Sequence, residues 1–118
     1  MSNKVLGDRG ESCAARYLGV QGYRILAQKY RTKIGEIDLI AKDRDTLVFV
    51  EVKTRRNVRC GLPAEAVNYR KQRKIIQTAM WYLREKQMDQ TPCRFDIVEV
   101  YAAGSEWRIH HLKGAFEV

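Results

Sequence analysis

Gly35-Glu36-Ile37-Asp38-Leu39-Ile40 and, a short way on, Phe49-Val50-Glu51-Val52-Lys53-Thr54 place charge inside runs of apolar and β-branched residues. A strand of the core ordinarily carries none there. Strand residues alternate between faces, so Glu36 and Asp38 share one face of the first segment, and Glu51 and Lys53 share one face of the second. The link Asp43-Arg44-Asp45 is short enough to make the two segments neighbours. Three carboxylates and one ammonium would then converge, the composition of a divalent-metal hydrolytic site.

The flanking sequence supplies the rest of a fold. Residues 23–31, 36–42 and 46–54 are rich in Ile, Leu, Val, Phe and Tyr and are separated by polar turns, which predicts a three-stranded antiparallel meander. Ahead of it, Asp8-Arg9-Gly10-Glu11 reads as a helix start, with Asp8 as N-cap and Glu11 at N3. Cys13, Ala14, Tyr17 and Leu18 then form one apolar stripe, and Gly19 or Gly22 ends the helix. Residues 55–61 form a basic loop. Gly61-Leu62-Pro63-Ala64-Glu65 predicts a second helix start with Pro63 near N1, and Ile75, Ile76, Ala79, Met80 and Leu83 continue its buried stripe to about residue 86. Beyond Thr91-Pro92, Phe95, Ile97, Val98 and Val100 mark a fourth strand, and a turn at Gly104-Ser105 leads to a fifth over residues 107–112.

The order is therefore α-β-β-β-α-β-β, an α/β protein whose mixed central sheet is flanked by helices. A crossover helix between the third and fourth strands allows a parallel pair there. The length suits one domain over residues 1–118.

Composition excludes several classes. No run approaches the ~20 apolar residues of a membrane span, and the start Met-Ser-Asn-Lys lacks a signal-peptide core, so a cytoplasmic, membrane-free protein is expected. Cys13, Cys60 and Cys93 are scattered and odd in number, which argues against both disulfides and structural zinc. His110 and His111 are adjacent on a strand and face opposite ways, so they cannot chelate one ion together.

Net charge is +8, and it is concentrated. Between Lys53 and Lys74 stand Lys53, Arg55, Arg56, Arg59, Arg70, Lys71, Arg73 and Lys74 against the single acid Glu65. Such clustering is costly unless a polyanion relieves it, and a phosphate backbone is the usual one. The seven cations from Arg55 to Lys74 are therefore the candidate nucleic-acid face. A solvated basic surface without a ligand is the plainer alternative.

Phosphodiester hydrolysis needs a Lewis acid and an activated water. Magnesium or manganese prefers carboxylate oxygens and water. Asp38 and Glu51 can each give an oxygen, the Val52 carbonyl can add a backbone ligand, and Lys53 points to the same place. Glu11 can approach if its helix packs beside the sheet. Each residue has a structural competitor. Glu11 can complete a capping box, Glu51 and Lys53 can form an exposed ion pair worth about 0–1 kcal/mol, and Glu36 and Asp38 can lie on a wet face. Against that, Leu47 and Phe49 share the parity of Glu51 and Lys53, while Val48, Val50 and Val52 fill the other face. Both faces are partly apolar, so the charges belong half-buried, as at catalytic or metal sites.

Asp38 followed by Glu51-Val52-Lys53 resembles the PD-(D/E)XK signature of restriction-endonuclease-like folds. Gly35-Glu36-Ile37-Asp38 with Phe49-Val50-Glu51-Val52-Lys53-Thr54-Arg55 more closely resembles the YraN-like bacterial family of predicted endonucleases, and is also similar to archaeal Holliday junction resolvases. The resemblance runs from about Gly7 to the C-terminus. It implies a restriction-endonuclease-like three-layer fold, with Asp38 and Glu51 as metal ligands, Lys53 as catalytic lysine and Glu11 as a helical accessory acid. No proline precedes Asp38, and Ile76 stands where some nuclease branches carry a tyrosine after Gln72.

Together these readings predict a magnesium-dependent DNA endonuclease selective for branched or damaged duplexes. A dimer would suit two-strand cleavage of a symmetric junction. The alternatives are a catalytically idle nucleic-acid-binding module of the same fold and a scaffold in a DNA-processing complex.

Overall fold

The computed structural model describes residues 2–56 and 67–118. Among them run α1 (Asn3–Val20), β1 (Arg24–Arg31), β2 (Glu36–Asp43), β3 (Thr46–Arg55), α2 (Tyr69–Glu85), β4 (Cys93–Ala103) and β5 (Glu106–Phe116). The strands form one mixed sheet in the order β1-β2-β3-β4-β5. β1, β2 and β3 are the expected antiparallel meander, β3 and β4 are parallel, and β4 and β5 are antiparallel. Each face of the sheet carries one apolar cluster. Leu39, Ala41, Val48, Val50, Val98 and Val100 pack with Ala14 and Leu18 of α1. Ile40, Leu47, Phe49, Phe95 and Ile97 pack with Ile75, Ile76, Ala79, Tyr82 and Leu83 of α2. The result is three layers, helix on sheet on helix. Strand alternation produces it, because neighbours such as Val48 and Phe49 point to opposite helices, and both are fully buried. Burying a side chain of this size stabilises by about 1.5–3 kcal/mol.

Both helix starts differ from the sequence reading. α1 begins five residues before the expected cap: Ser2 is the N-cap and its side chain accepts from the Val5 N–H. Asp8 and Glu11 are consequently in mid-helix, and Glu11 completes no capping box. The helix closes as the glycines suggested. Gly22 takes φ +96, its N–H bonds the Gly19 carbonyl at 3.0 Å, and the Tyr23 N–H bonds the Leu18 carbonyl at 2.9 Å, a Schellman ending. α2 begins at Tyr69 rather than near Pro63, with Asn68 as N-cap accepting from the Lys71 N–H at 2.9 Å. Residues 61–65, Cys60 and Arg59 lie outside the described residues.

The late start of α2 moves Arg70 and Lys71 into its first turn. The partial positive charge of a helix N-terminus disfavours cations there. Their presence calls for a nearby anion even more than a mid-helix position would.

Candidate functional site

The β2–β3 ladder runs from Asp43↔Thr46 to Leu39↔Val50 and stops one pair short of Asp38 and Glu51. At that point Ile37 joins the cluster under α2 while Leu39 joins the one under α1, so the facing of β2 changes across Asp38. The strands part there, and the Val52 N–H donates to Asp38 Oδ2 at 2.8 Å instead of to a backbone carbonyl. Asp38 thus closes the split with its own carboxylate. Val52 is presented to it through its N–H.

Glu51 follows on β3, and although charged it is only 4% exposed. Lys71 of α2 reaches Glu51 Oε2 at 3.3 Å and Lys53 reaches the same oxygen at 3.7 Å. This is the anion that the first turn of α2 lacked. Asp38 and Glu51 lie close enough to share a hydrogen bond. Burial, then the charge and bonding of Glu51, push the Asp38 carboxyl up from 3.8 to about 8; only the Val52 N–H pulls it down.

α1 brings Glu11 to the same split. Gly10 is buried against Thr54 of β3, and a methyl group on it would overlap the Thr54 side chain. This close approach seats Glu11 beside Asp38 in a cavity of about 450 Å³, also lined by Asn3, Thr54, Arg55 and Arg56. The Glu11 carboxylate is itself held by Lys29 Nζ, at 3.1 Å from Oε2 and 3.2 Å from Oε1. Lys29 takes φ +51 on β1 and also bonds Asp8 at 3.0 Å.

Glu36 is not part of this group. It pairs with Arg31 at 3.1 Å across the β1–β2 turn, so the convergence expected of Glu36, Asp38 and Glu51 reduces to Asp38 and Glu51, with Glu11 arriving from the helix instead. The basic residues divide as well. Arg56 bonds Asn3 at 2.6 Å at the rim of the cavity. Arg55 lies 3.7 Å from Glu99. Arg70 and Lys74 are exposed on α2 and Arg73 is half-exposed, whereas Lys71 is engaged with Glu51.

Among the described residues no group of three or more His, Cys, Asp or Glu side chains could by itself hold a metal ion. Two adjacent carboxylates nevertheless fit magnesium, which typically takes one or two of them and fills its remaining positions with water. The mutual repulsion of Asp38 and Glu51 is what a divalent ion would relieve.

Sequence reading passed over two residues that meet its own criterion of charge in an apolar strand, Asp96 and Glu99 on β4. Both are fully buried. Glu99 lies opposite Lys53 in the β3–β4 register and bonds the Tyr101 hydroxyl, but among the described residues its Oε2 and Arg55 Nε have no hydrogen-bond partner. Burial raises the Glu99 carboxyl.

Taken together this is a three-layer α/β protein with a close carboxylate pair and a lysine where two strands part. Residues 10–100 match the uncharacterised protein family UPF0102. The chain is 48% identical over 116 residues to a UPF0102 protein of Clostridioides difficile, covering 98% of this chain and 100% of that one. It is 53% identical over 100 residues to one of Symbiobacterium thermophilum, covering 85% and 84%, and 49% identical over 112 residues to one of Syntrophus aciditrophicus, covering 95% and 88%. The protein belongs to the UPF0102 (YraN-like) family.

Proposed function

We propose that the protein is a cytoplasmic, metal-dependent DNA endonuclease of the PD-(D/E)XK kind. The observation that carries this reading is the pair of half-buried Asp38 and buried Glu51 at a strand parting, with Lys53 Nζ 3.7 Å from Glu51. Asp38 and Glu51 would hold a magnesium or manganese ion, which supplies charge neutralisation for the scissile phosphate and lowers the pKa of water. The Val52 N–H orients Asp38 for this, and the Val52 carbonyl would add a backbone ligand. Lys53 is half-buried, and its ammonium can donate to the attacking water or to a non-bridging phosphate oxygen in the transition state. Lys71 neutralises Glu51 from the other side. Arg56 at the cavity rim and Arg70, Arg73 and Lys74 along α2 would take flanking phosphates.

Binding through several such contacts weakens steeply with salt. No helix among the described residues is long and apolar enough to cross a membrane. Cleavage of labelled single-stranded, duplex, flap, fork and four-way DNAs with magnesium or manganese tests the activity and names the substrate. Glu51→Ala is the control for contaminating nuclease. Salt-sensitive binding without cleavage of any of them would favour the idle binding module; neither binding nor cleavage would favour a scaffold.

A further inference from the structure

At the other end of β2 and β3, roughly 17 Å from Glu51 at about 3.3 Å per strand residue, lies a second cavity of about 360 Å³. Tyr17, Tyr23, Asp43, Arg44, His111 and Lys113 line it. Behind its His111 and Tyr23 runs a buried polar chain centred on Asp96, which is 0% exposed. Asp96 accepts from Arg94 Nε at 2.9 Å, Arg94 Nη2 at 3.0 Å, the Gly114 N–H at 3.0 Å and His111 Nε2 at 2.7 Å. A carboxylate so placed accepts only, so the His111 proton belongs on Nε2. In the neutral ring Nδ1 is then an acceptor, and it takes the Tyr17 hydroxyl proton at 3.1 Å.

The donors left over point to what the cavity takes. Tyr23 accepts from Arg94 Nη2 at 2.7 Å, and its own proton has no acceptor among the described residues. Arg44 and Lys113 have no ion-pair partner there either. Asp43, the only acid of the lining, is already 3.3 Å from Arg94 Nη1. Three unspent donors, two of them cationic, therefore face one cavity whose single acid is already engaged. Arg44 moreover takes φ +57 in the two-residue β2–β3 turn, a conformation more readily adopted by glycine or asparagine. We propose that this cavity binds a phosphomonoester, with the Tyr23 hydroxyl, Arg44 and Lys113 holding the phosphate oxygens. The site is separate from the carboxylate pair, and the inference does not rest on the nuclease reading.

The test is calorimetric titration of the full chain with inorganic phosphate and with adenosine monophosphate, against chloride at matched ionic strength. Thermal unfolding is followed in parallel, because a ligand of the folded state raises Tm. Phosphate is expected to bind at one site. Tyr23→Phe, which keeps the ring, should weaken it about tenfold, as loss of one hydrogen bond to a charged group does. Arg44→Asn with Lys113→Ala, both on the surface, should abolish it, while Lys33→Ala on the far side of the meander should change nothing. Tighter binding of the nucleotide than of phosphate, lost in the same variants, would support the proposal and show that the phosphate arrives on a larger molecule. Equal affinity in wild type and all variants would mean general attraction to a basic protein and would overturn it, as would no binding of either probe.

Discussion

Asp38 and Asp96 are both strand aspartates withdrawn from solvent in the same sheet, and their surroundings drive them in opposite directions. Burial alone would raise Asp96, but His111, Arg94 and the Gly114 N–H outweigh it and hold the carboxyl below the usual range. Asp38 has one N–H and faces Glu51, so burial and repulsion push it up to about 8. One aspartate is satisfied by the fold and serves it. The other is unfavourable in the fold, a condition more typical of functional carboxylates than of structural ones.

Replacing each aspartate by asparagine is the sharpest contrast. Asp96→Asn keeps the volume but turns an amide toward Arg94 and His111, and should destabilise by about 3–5 kcal/mol in urea unfolding, the usual cost of stripping a buried ion pair of one partner. Asp38→Asn should leave the chelator-treated protein as stable as wild type or more stable. Comparable losses at the two positions would erase the distinction.

Their pH dependences should also be opposite. Asp38 has a folded value of about 8 against 3.8 unfolded, so its penalty is absent below about 4, grows as pH rises and levels off above about 8. Each unit of real separation is worth about 1.4 kcal/mol. The stability difference between Asp38→Asn and wild type, without metal, should therefore widen in favour of the variant from pH 5 to pH 8. Asp96 has the reverse sign: its contribution is full above 3.8 and is lost as pH falls through its lower folded value.

A smaller effect is expected from Gly10→Ala. The methyl group would force α1 away from Thr54 and cost about 1–3 kcal/mol. It should also move Glu11 off the site, so any cleavage activity should fall more than stability does. Millimolar manganese should raise the Tm of wild type by a few degrees and scarcely move Asp38→Asn, since only the first retains the carboxylate pair. A shift of equal size in both would remove the metal from Asp38.

The least effect on the fold belongs to the exposed face of α2. Arg70→Glu with Lys74→Glu should change stability by under about 0.5 kcal/mol and reduce both DNA affinity and its salt dependence. Lys71→Glu should behave differently and destabilise, because it would set a second carboxylate against buried Glu51. Equal behaviour of Lys71 and Lys74 in unfolding would mean that the Lys71–Glu51 contact adds nothing.

The sequence by itself determined the element order, the antiparallel meander and the turn at Gly104, because apolar alternation and turn residues are local signals. It also marked Asp38, Glu51 and Lys53, since charge in an apolar strand is visible one segment at a time. The start of α1 was misread for the same local reason. An acid three residues after an aspartate looks like a cap wherever it occurs, and nothing local shows that Gly10 is needed against Thr54. Only the tertiary structure decided which carboxylates meet. Glu36 was lost to Arg31 and Glu11 was held by Lys29, while Lys71 was drawn to Glu51. It also decided that Asp96 is satisfied and Asp38 is not. Whether a buried charge is stabilised or frustrated depends on partners up to 18 residues away for Asp96 and 27 for Asp38, a separation that no local pattern in the chain records.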